Sequence, residues 1–321
     1  MPISPAFQPI RTNGVNLRCV VEGDGPPVLM IHGWPESWYS WRHQIGPVRD
    51  AGYRVVVPDV RGYGGSDAPH AVEAYDMQSL IGDVLGLIDH FGERQAILFG
   101  HDWGAPIVWN TAALHPGRVS AVAALSVPYA PRGKISSIAL WRQIYAGRFF
   151  YQIYFQAPGP AEAEFEADIR TSLRKIYYAG SGDSPRGLFR PDKSPGARML
   201  DDLPDPSMLP GWLSEQDMDY YVSQFERSGM RGPLNRYRNQ ERDWERLTGL
   251  DGARISQPAC FIAGSRDGVL KFVPKVDLVE NMKRWTDDLR VCSIIEGAGH
   301  WIQQERPDEV TGLLLAFLAT L

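Results

Sequence analysis

The sequence predicts an α/β protein with a mainly parallel sheet, helices on both faces and an inserted helical lid. Short apolar runs alternate with amphipathic segments in the first part of the chain, which is typical of parallel strands joined by helices. From about 130 to 250 the patterns are helical without a convincing strand, and strand character then returns. We therefore expect a core formed by 1–129 and 251–321 and a cap formed by 130–250. A lid inserted there would lie above the carboxyl ends of the strands, where open α/β sheets bind ligands.

Hydrophobic periodicity and turn residues place the individual elements of this fold. The predicted strands are 15–21, 27–31, 53–57, 95–99, 119–127, 258–263 and 289–295, and helices are predicted over 77–91 and 105–114. The last helix places its apolar side chains on one face, namely Val310, Leu313, Leu314, Phe317, Leu318 and Leu321.

Composition excludes several classes of function. The net charge of -5 argues against a nucleic-acid partner. The longest apolar run, 313–318, is too short to span a membrane, and the first residues do not resemble a signal peptide. Cys19, Cys260 and Cys292 each lie in an apolar run, so we expect reduced core residues and neither disulfides nor a metal site. These features indicate a cytoplasmic protein, and the fold is compatible with a homodimer through the lid.

The pentad Gly100-His101-Asp102-Trp103-Gly104 has an aspartate where a nucleophile elbow usually holds serine. It lies between a predicted strand and a predicted helix, the context in which a sharp turn exposes the central side chain. A carboxylate with a reference pKa of about 3.9 is ionised at neutral pH and suits displacement at saturated carbon. A helix-capping aspartate after a glycine turn is the alternative interpretation.

A carboxylate nucleophile would form an ester that water must cleave, so the mechanism needs a base. His300 follows the last predicted strand in a run of small residues, and Asp267 follows the strand before it. Asp267 would fix the tautomer of the imidazole, although by itself it is better explained as a loop aspartate in an Asx turn. The order nucleophile, acid, base along the chain matches that of α/β-hydrolases.

The turn His32-Gly33-Trp34-Pro35 follows the strand 27–31. Backbone N–H groups of Trp34 and Trp103 are well placed to stabilise the oxyanion of ester hydrolysis. A tight turn whose tryptophan packs in the core is the alternative, and the two are compatible. The glycine-rich segment 61–67 has no P-loop lysine and is interpreted as a structural turn.

Taken together, these motifs resemble the α/β-hydrolase-fold epoxide hydrolases of the soluble type over essentially the whole chain. The core motifs are HGWPESWYSWR at 32–42, DVRGYGGS at 59–66, GHDWG at 100–104 and GHW at 299–301, and the lid contributes YQIYFQAPG at 151–159 and RGPLNRYRN at 231–239. The resemblance implies a cofactor-independent enzyme that acts on a small hydrophobic epoxide. It also implies that Tyr151 and Tyr237 hold the epoxide oxygen.

The tyrosines also fit the chemistry, because an opened epoxide leaves an alkoxide that a phenol can hydrogen-bond or protonate. An aromatic stripe that only packs the lid is the alternative, and we accept it for Tyr154. We expect the substrate pocket to be lined by Trp34, Trp103, Gln152, Phe155, Val269 and Trp301.

Two other functions remain open at this stage. A haloalkane or haloacid dehalogenase would share the fold, the aspartate and the histidine, but it commonly has a halide-binding Asn where this chain has Trp34. A ligand-binding receptor on a hydrolase scaffold would not require the intact acid, base and lid tyrosines.

Overall fold

One eight-stranded sheet forms the centre of the molecule. The structure is a computed structural model that describes residues 6–185 and 193–321. Its strands are β1 Phe7–Thr12, β2 Val15–Glu22, β3 Pro27–Ile31, β4 Arg54–Pro58, β5 Ala96–His101, β6 Val119–Leu125, β7 Ile255–Gly264 and β8 Thr286–Ile295. They lie in the order β1-β2-β4-β3-β5-β6-β7-β8, and only β2 runs antiparallel to its neighbours. The predicted α/β class with a mainly parallel sheet is confirmed.

Helices cover both faces of this sheet, as the continuous burial of the central strands requires. The core helices are α1 Arg42–Asp50, α2 Met77–His90, α3 Gly104–Leu114, α11 Leu278–Lys283, α12 Ile302–Glu305 and α13 Pro307–Leu318. One face packs against α2 and α3, and the other packs against α1 and α13. The patterns missed β1, an edge strand that is mostly exposed, and α1, whose interior contains Pro47.

Seven helices separate β6 from β7 in the described part of the chain. They are α4 Ser137–Ile144, α5 Tyr151–Tyr154, α6 Pro160–Glu166, α7 Ile169–Gly180, α8 Glu215–Ser228, α9 Arg231–Arg238 and α10 Gln240–Arg246. Their apolar faces form a cluster of their own around Phe155, Phe165 and Tyr221, which also contacts Trp34 of the core. The division into a cap of 130–250 and a core stays a prediction. Residues 1–5, on which the expectation of no signal peptide partly depended, lie outside the described residues.

Two expectations about single residues were wrong. Cys19 and Cys260 are buried and free, but Cys292 is exposed, because β8 is an edge strand whose alternate side chains face solvent. Leu321 is 50% exposed because α13 ends at Leu318 and the apolar face does not continue beyond it.

Candidate active site

A sharp turn between β5 and α3 holds Asp102 at the centre of the sheet. Its φ of 50° lies in the left-handed region, which costs a non-glycine residue about 1–3 kcal/mol and is typical of functional turns. The flanking residues must be glycine because a Cβ on Gly100 would lie 2.3 Å from the carbonyl oxygen of Gly104, and one on Gly104 would lie 2.0 Å from that of Ile31. The predicted elbow is therefore present in the fold.

The loop after β3 reaches the same carboxylate. The backbone N–H of Trp34 donates to Oδ1 of Asp102 at 2.7 Å. A Cβ on Gly33 would lie 2.4 Å from that oxygen and 2.7 Å from the backbone nitrogen of Trp103. The structure thus brings the two expected oxyanion donors, the amides of Trp34 and Trp103, beside the nucleophile, and glycine at 33 permits this approach.

His300 lies between two carboxylates. Its Nε2 is 3.3 Å from Oδ2 of Asp102 and its Nδ1 is 3.0 Å from Oδ2 of Asp267. Asp267 in turn accepts the backbone N–H of Val269 at 2.9 Å. Burial would lower the pKa of His300, but the charge of Asp267 and the hydrogen bonds to both carboxylates raise it well above its usual value. Burial would raise the pKa of Asp267, but the charge of His300 and the hydrogen bond to it lower that pKa and keep the carboxyl ionised.

Tyr151 and Tyr237 meet above the nucleophile although 86 positions separate them in the chain. Their ring centroids are 5.8 Å apart at an interplanar angle of 75°. Burial raises the pKa of both phenols, and the charge of Asp102 raises it further. Both hydroxyls are therefore protonated at neutral pH and able to donate.

A cavity of about 380 Å³ joins these groups. Asp102, Tyr151, Tyr237, Asp267 and His300 all line it, as do three of the expected pocket residues, Trp34, Val269 and Trp301. The other lining residues include four aromatic ones, Tyr145, Phe149, Phe150 and Phe272, and three cationic ones, Lys193, Arg266 and Lys271. This lining suits an apolar substrate whose reacting atoms approach a few convergent polar groups.

The other three expected pocket residues lie outside the lining of this cavity. Phe155 is fully buried behind the wall, with its ring 5.3 Å from that of Trp34 and 5.0 Å from that of Tyr237. Gln152 lies behind Tyr151 and hydrogen-bonds its hydroxyl. Trp103 lines a separate hollow of about 200 Å³, and Arg236 lies over its ring at 4.8 Å. The sequence motifs place these residues next to residues that line the cavity, but they do not show whether each side chain itself reaches it.

A buried pair that the sequence did not reveal connects the turn of Asp102 with the loop of His300. Nδ1 of His101 lies 2.8 Å from Oε2 of Glu36, and its Nε2 lies 2.7 Å from the carbonyl oxygen of His300. Both His101 and Glu36 are fully buried, so each satisfies the polar groups of the other away from water. Glu36 also accepts the N–H of Gly33 at 3.1 Å. This pair therefore connects the turn that holds Asp102, the turn after β3 and the loop of His300.

Glu305 braces the loop of His300 from the other side. It accepts the backbone N–H groups of Gly299 and Trp301, which flank the base, at 2.9 and 3.0 Å. It also accepts the N–H of Gly182, which follows α7, at 2.8 Å. One buried carboxylate thus fixes the catalytic loop against the segment that follows α7.

The part of the chain that the structure describes contains no group of three or more His, Cys, Asp or Glu side chains arranged to hold a metal ion. None of the helices in the described ranges is long and apolar enough to cross a membrane.

Comparison with known proteins agrees with this geometry. The alpha/beta hydrolase fold family matches residues 26–307. Epoxide hydrolase A of Mycobacterium tuberculosis is 45% identical over 99% of this chain and 98% of its own. An epoxide hydrolase from an endophytic Streptomyces superposes with a TM-score of 0.92 at 44% identity, covering 99% of this chain and 96% of that one. Epoxide hydrolase A from Mycobacterium thermoresistibile gives the same TM-score and identity, with 98% of each chain covered.

Proposed function

The chain belongs to the epoxide hydrolases of the α/β-hydrolase fold, and we propose that it converts small hydrophobic epoxides to vicinal diols through an ester on Asp102. The observation that carries the proposal is one cavity in which two protonated phenols and the carboxylate of Asp102 lie together. This arrangement supplies a nucleophile for the ring carbon and donors for the ring oxygen.

In the first step an oxygen of Asp102 attacks one carbon of the epoxide, and the carbon–oxygen bond breaks with its electron pair on the ring oxygen. Tyr151 and Tyr237 donate to that oxygen as its negative charge develops. The product is a hydroxyalkyl ester on Asp102, and it stays in the cavity.

In the second step His300 takes a proton from water, and the resulting hydroxide attacks the carboxyl carbon of the ester. Formation of the ester removes the negative charge of Asp102, one of the groups that raise the pKa of His300. Loss of this charge lowers the pKa of His300, so more of the imidazole is in the neutral form that can accept a proton from water. The amides of Trp34 and Trp103 hold the tetrahedral oxyanion, and cleavage releases the diol.

The test compares styrene oxide with a matched alkyl bromide for the wild type, Tyr151→Phe and Tyr237→Phe. We expect diol from the epoxide and a loss on the order of 10²-fold or more in each variant, because each phenol acts as a general acid. A rate of bromide release that is the same in the wild type and in both variants would instead identify a dehalogenase. Tight epoxide binding without turnover would favour the receptor alternative.

A single turnover in ¹⁸O-water with enzyme in excess tests the covalent route. The ester mechanism predicts unlabelled oxygen in the first diol and label in Asp102, because water attacks the carboxyl carbon. Label that appears directly in the first diol would exclude the ester.

We also propose that 130–250 acts as a cap domain, that the protein functions in the cytoplasm and that it forms a homodimer through the cap. The free state of Cys19, Cys260 and Cys292 supports a reducing compartment. Light scattering on the purified protein tests the homodimer, and limited proteolysis between core and cap tests the division.

A further inference from the structure

A chain of hydrogen bonds ends at the hydroxyl of Tyr151, and its other two members, Gln152 and Trp141, do not line the cavity. Nε1 of Trp141 donates to Oε1 of Gln152 at 2.9 Å, and Nε2 of Gln152 donates to the hydroxyl of Tyr151 at 2.9 Å. All three side chains are buried. Gln152 does not line the substrate cavity, so its contacts explain its position better than substrate binding does.

The direction of this chain follows from the chemistry of its members. An indole N–H can only donate, so the amide oxygen of Gln152 must face Trp141. The amide nitrogen must then face Tyr151, and because it too can only donate, the phenolic oxygen must accept. The proton of Tyr151 is consequently directed to another partner than Gln152.

The other surroundings of Tyr151 indicate where that proton can go. The hydroxyl lies beside that of Tyr237 and close enough to Asp102 to be influenced by its charge. Burial raises the pKa of Tyr151, whereas the hydrogen bond from Gln152 lowers it by stabilising the phenolate. The amide therefore makes the phenol a better acid in a site that otherwise opposes its ionisation.

We propose that Gln152, oriented by Trp141, is a positioning residue that commits Tyr151 to donate to the epoxide oxygen. The inference rests on the proposed function. During ring opening Asp102 bonds to carbon, the electron pair of the broken bond moves to oxygen, and a phenol of the tyrosine pair gives its proton to that oxygen. His300 takes a proton from the hydrolytic water and releases it to solvent. The phenolate takes up a proton from solvent, so the two transfers balance.

Gln152→Glu tests the proposal because it reverses the direction of one hydrogen bond. An ionised glutamate can only accept, so it takes the proton of Tyr151 away from the epoxide. A protonated glutamate can again donate to Tyr151 while its carbonyl oxygen accepts from Trp141. We expect ester formation from styrene oxide, followed by acid quench and mass measurement of the protein, to slow on the order of tenfold to hundredfold at high pH. The rate should recover as the pH falls, and ester hydrolysis should keep its wild-type rate.

Three further variants separate this role from a structural one. Gln152→Met keeps the volume but removes the donor, so a smaller loss without recovery at low pH is expected. In a Tyr151→Phe background Gln152→Glu should have no additional effect on ester formation. Gln257→Glu places a carboxylate at another buried glutamine, which contacts the carbonyl oxygen of Ala112, and should leave the pH profile unchanged.

Equal rates of ester formation in Gln152→Glu and Gln152→Met at every pH would overturn the proposal. So would a full effect of Gln152→Glu in the absence of the Tyr151 hydroxyl. A wild-type protein that forms no ester from any epoxide would refute the proposed function instead, and the two failures are therefore distinguishable.

Discussion

Two halves of the site are held by different kinds of structure. We call Asp102, Asp267 and His300 the core half, and Tyr151 and Tyr237 the cap half. Asp102, Asp267 and His300 follow the ends of β5, β7 and β8, and the backbone around them is fixed by close glycine contacts and strand pairing. Tyr151 and Tyr237 lie on short helices that are held by ring contacts and side-chain hydrogen bonds. Main-chain geometry thus positions Asp102 and His300, whereas side-chain packing positions Tyr151 and Tyr237.

This difference predicts where each half fails when it is altered. A change in the core half should stop the reaction at ester hydrolysis or prevent approach to the nucleophile. A change in the cap half should slow ring opening and leave hydrolysis intact. The following variants test this division in order of expected effect.

His300→Gln should have the largest effect, a loss of turnover on the order of 10³-fold or more, because general base catalysis is removed. Ester formation should continue, so intact-protein mass after mixing with styrene oxide should increase by one epoxide. Tyr151→Phe, treated identically, should accumulate little ester. A His300→Gln protein that stalls without added mass would contradict the assignment of His300 to the second step.

Asp267→Asn should lower turnover on the order of 10²-fold, because the imidazole loses its oriented acceptor. The charge of Asp267 raises the pKa of His300, so its removal lowers that pKa. Ester hydrolysis requires neutral His300 and declines as pH falls through its pKa. The acid limb of kcat should therefore move to lower pH, by about one to three units. A shift to higher pH, or none, would contradict the assigned role of Asp267.

Gly33→Ala should reduce ester formation about tenfold to hundredfold, because the added Cβ would lie 2.4 Å from Oδ1 of Asp102. Gly117→Ala is the control, since a Cβ there meets nothing within 4 Å. Steady-state kinetics and thermal denaturation of both variants distinguish misplacement of the nucleophile from loss of fold. Equal activity of the two variants would mean that the turn after β3 can shift to accommodate the added Cβ without displacing Asp102.

The same division explains how far the sequence could predict the molecule. The strands of the core are continuous apolar runs, and the residues that follow β5, β7 and β8 converge because carboxyl ends of parallel strands share one edge of the sheet. Asp102, Asp267 and His300 could therefore be nominated from order and context. The cap offers no such rule, and only the family resemblance identified Tyr151 and Tyr237.

Supporting residues were missed for a different reason. His101 and Glu36 are 65 positions apart, and His101 contacts the backbone of a residue 199 positions away. No local periodicity encodes such contacts. Gln152 was expected to line the pocket, but a residue next to a wall residue on a short helix points in a different direction from it. These positions depend on tertiary packing that a sequence pattern does not contain.

Phe155→Leu should have the smallest effect and tests whether packing alone holds the cap half. The ring of Phe155 contacts those of Trp34 and Tyr237, so a smaller side chain should loosen both and slow ring opening a few-fold. The free energy of unfolding should fall by about 1 kcal/mol, as for a modest loss of core volume. Phe317→Leu is a suitable control because Phe317 is equally buried but lies far along the chain, in the cluster between the sheet and the helices α1 and α13. It should show a similar stability loss in chemical denaturation with unchanged ring opening. If both variants lost activity equally, global stability would explain the result, and the cap aromatics would have no specific role in positioning Tyr237.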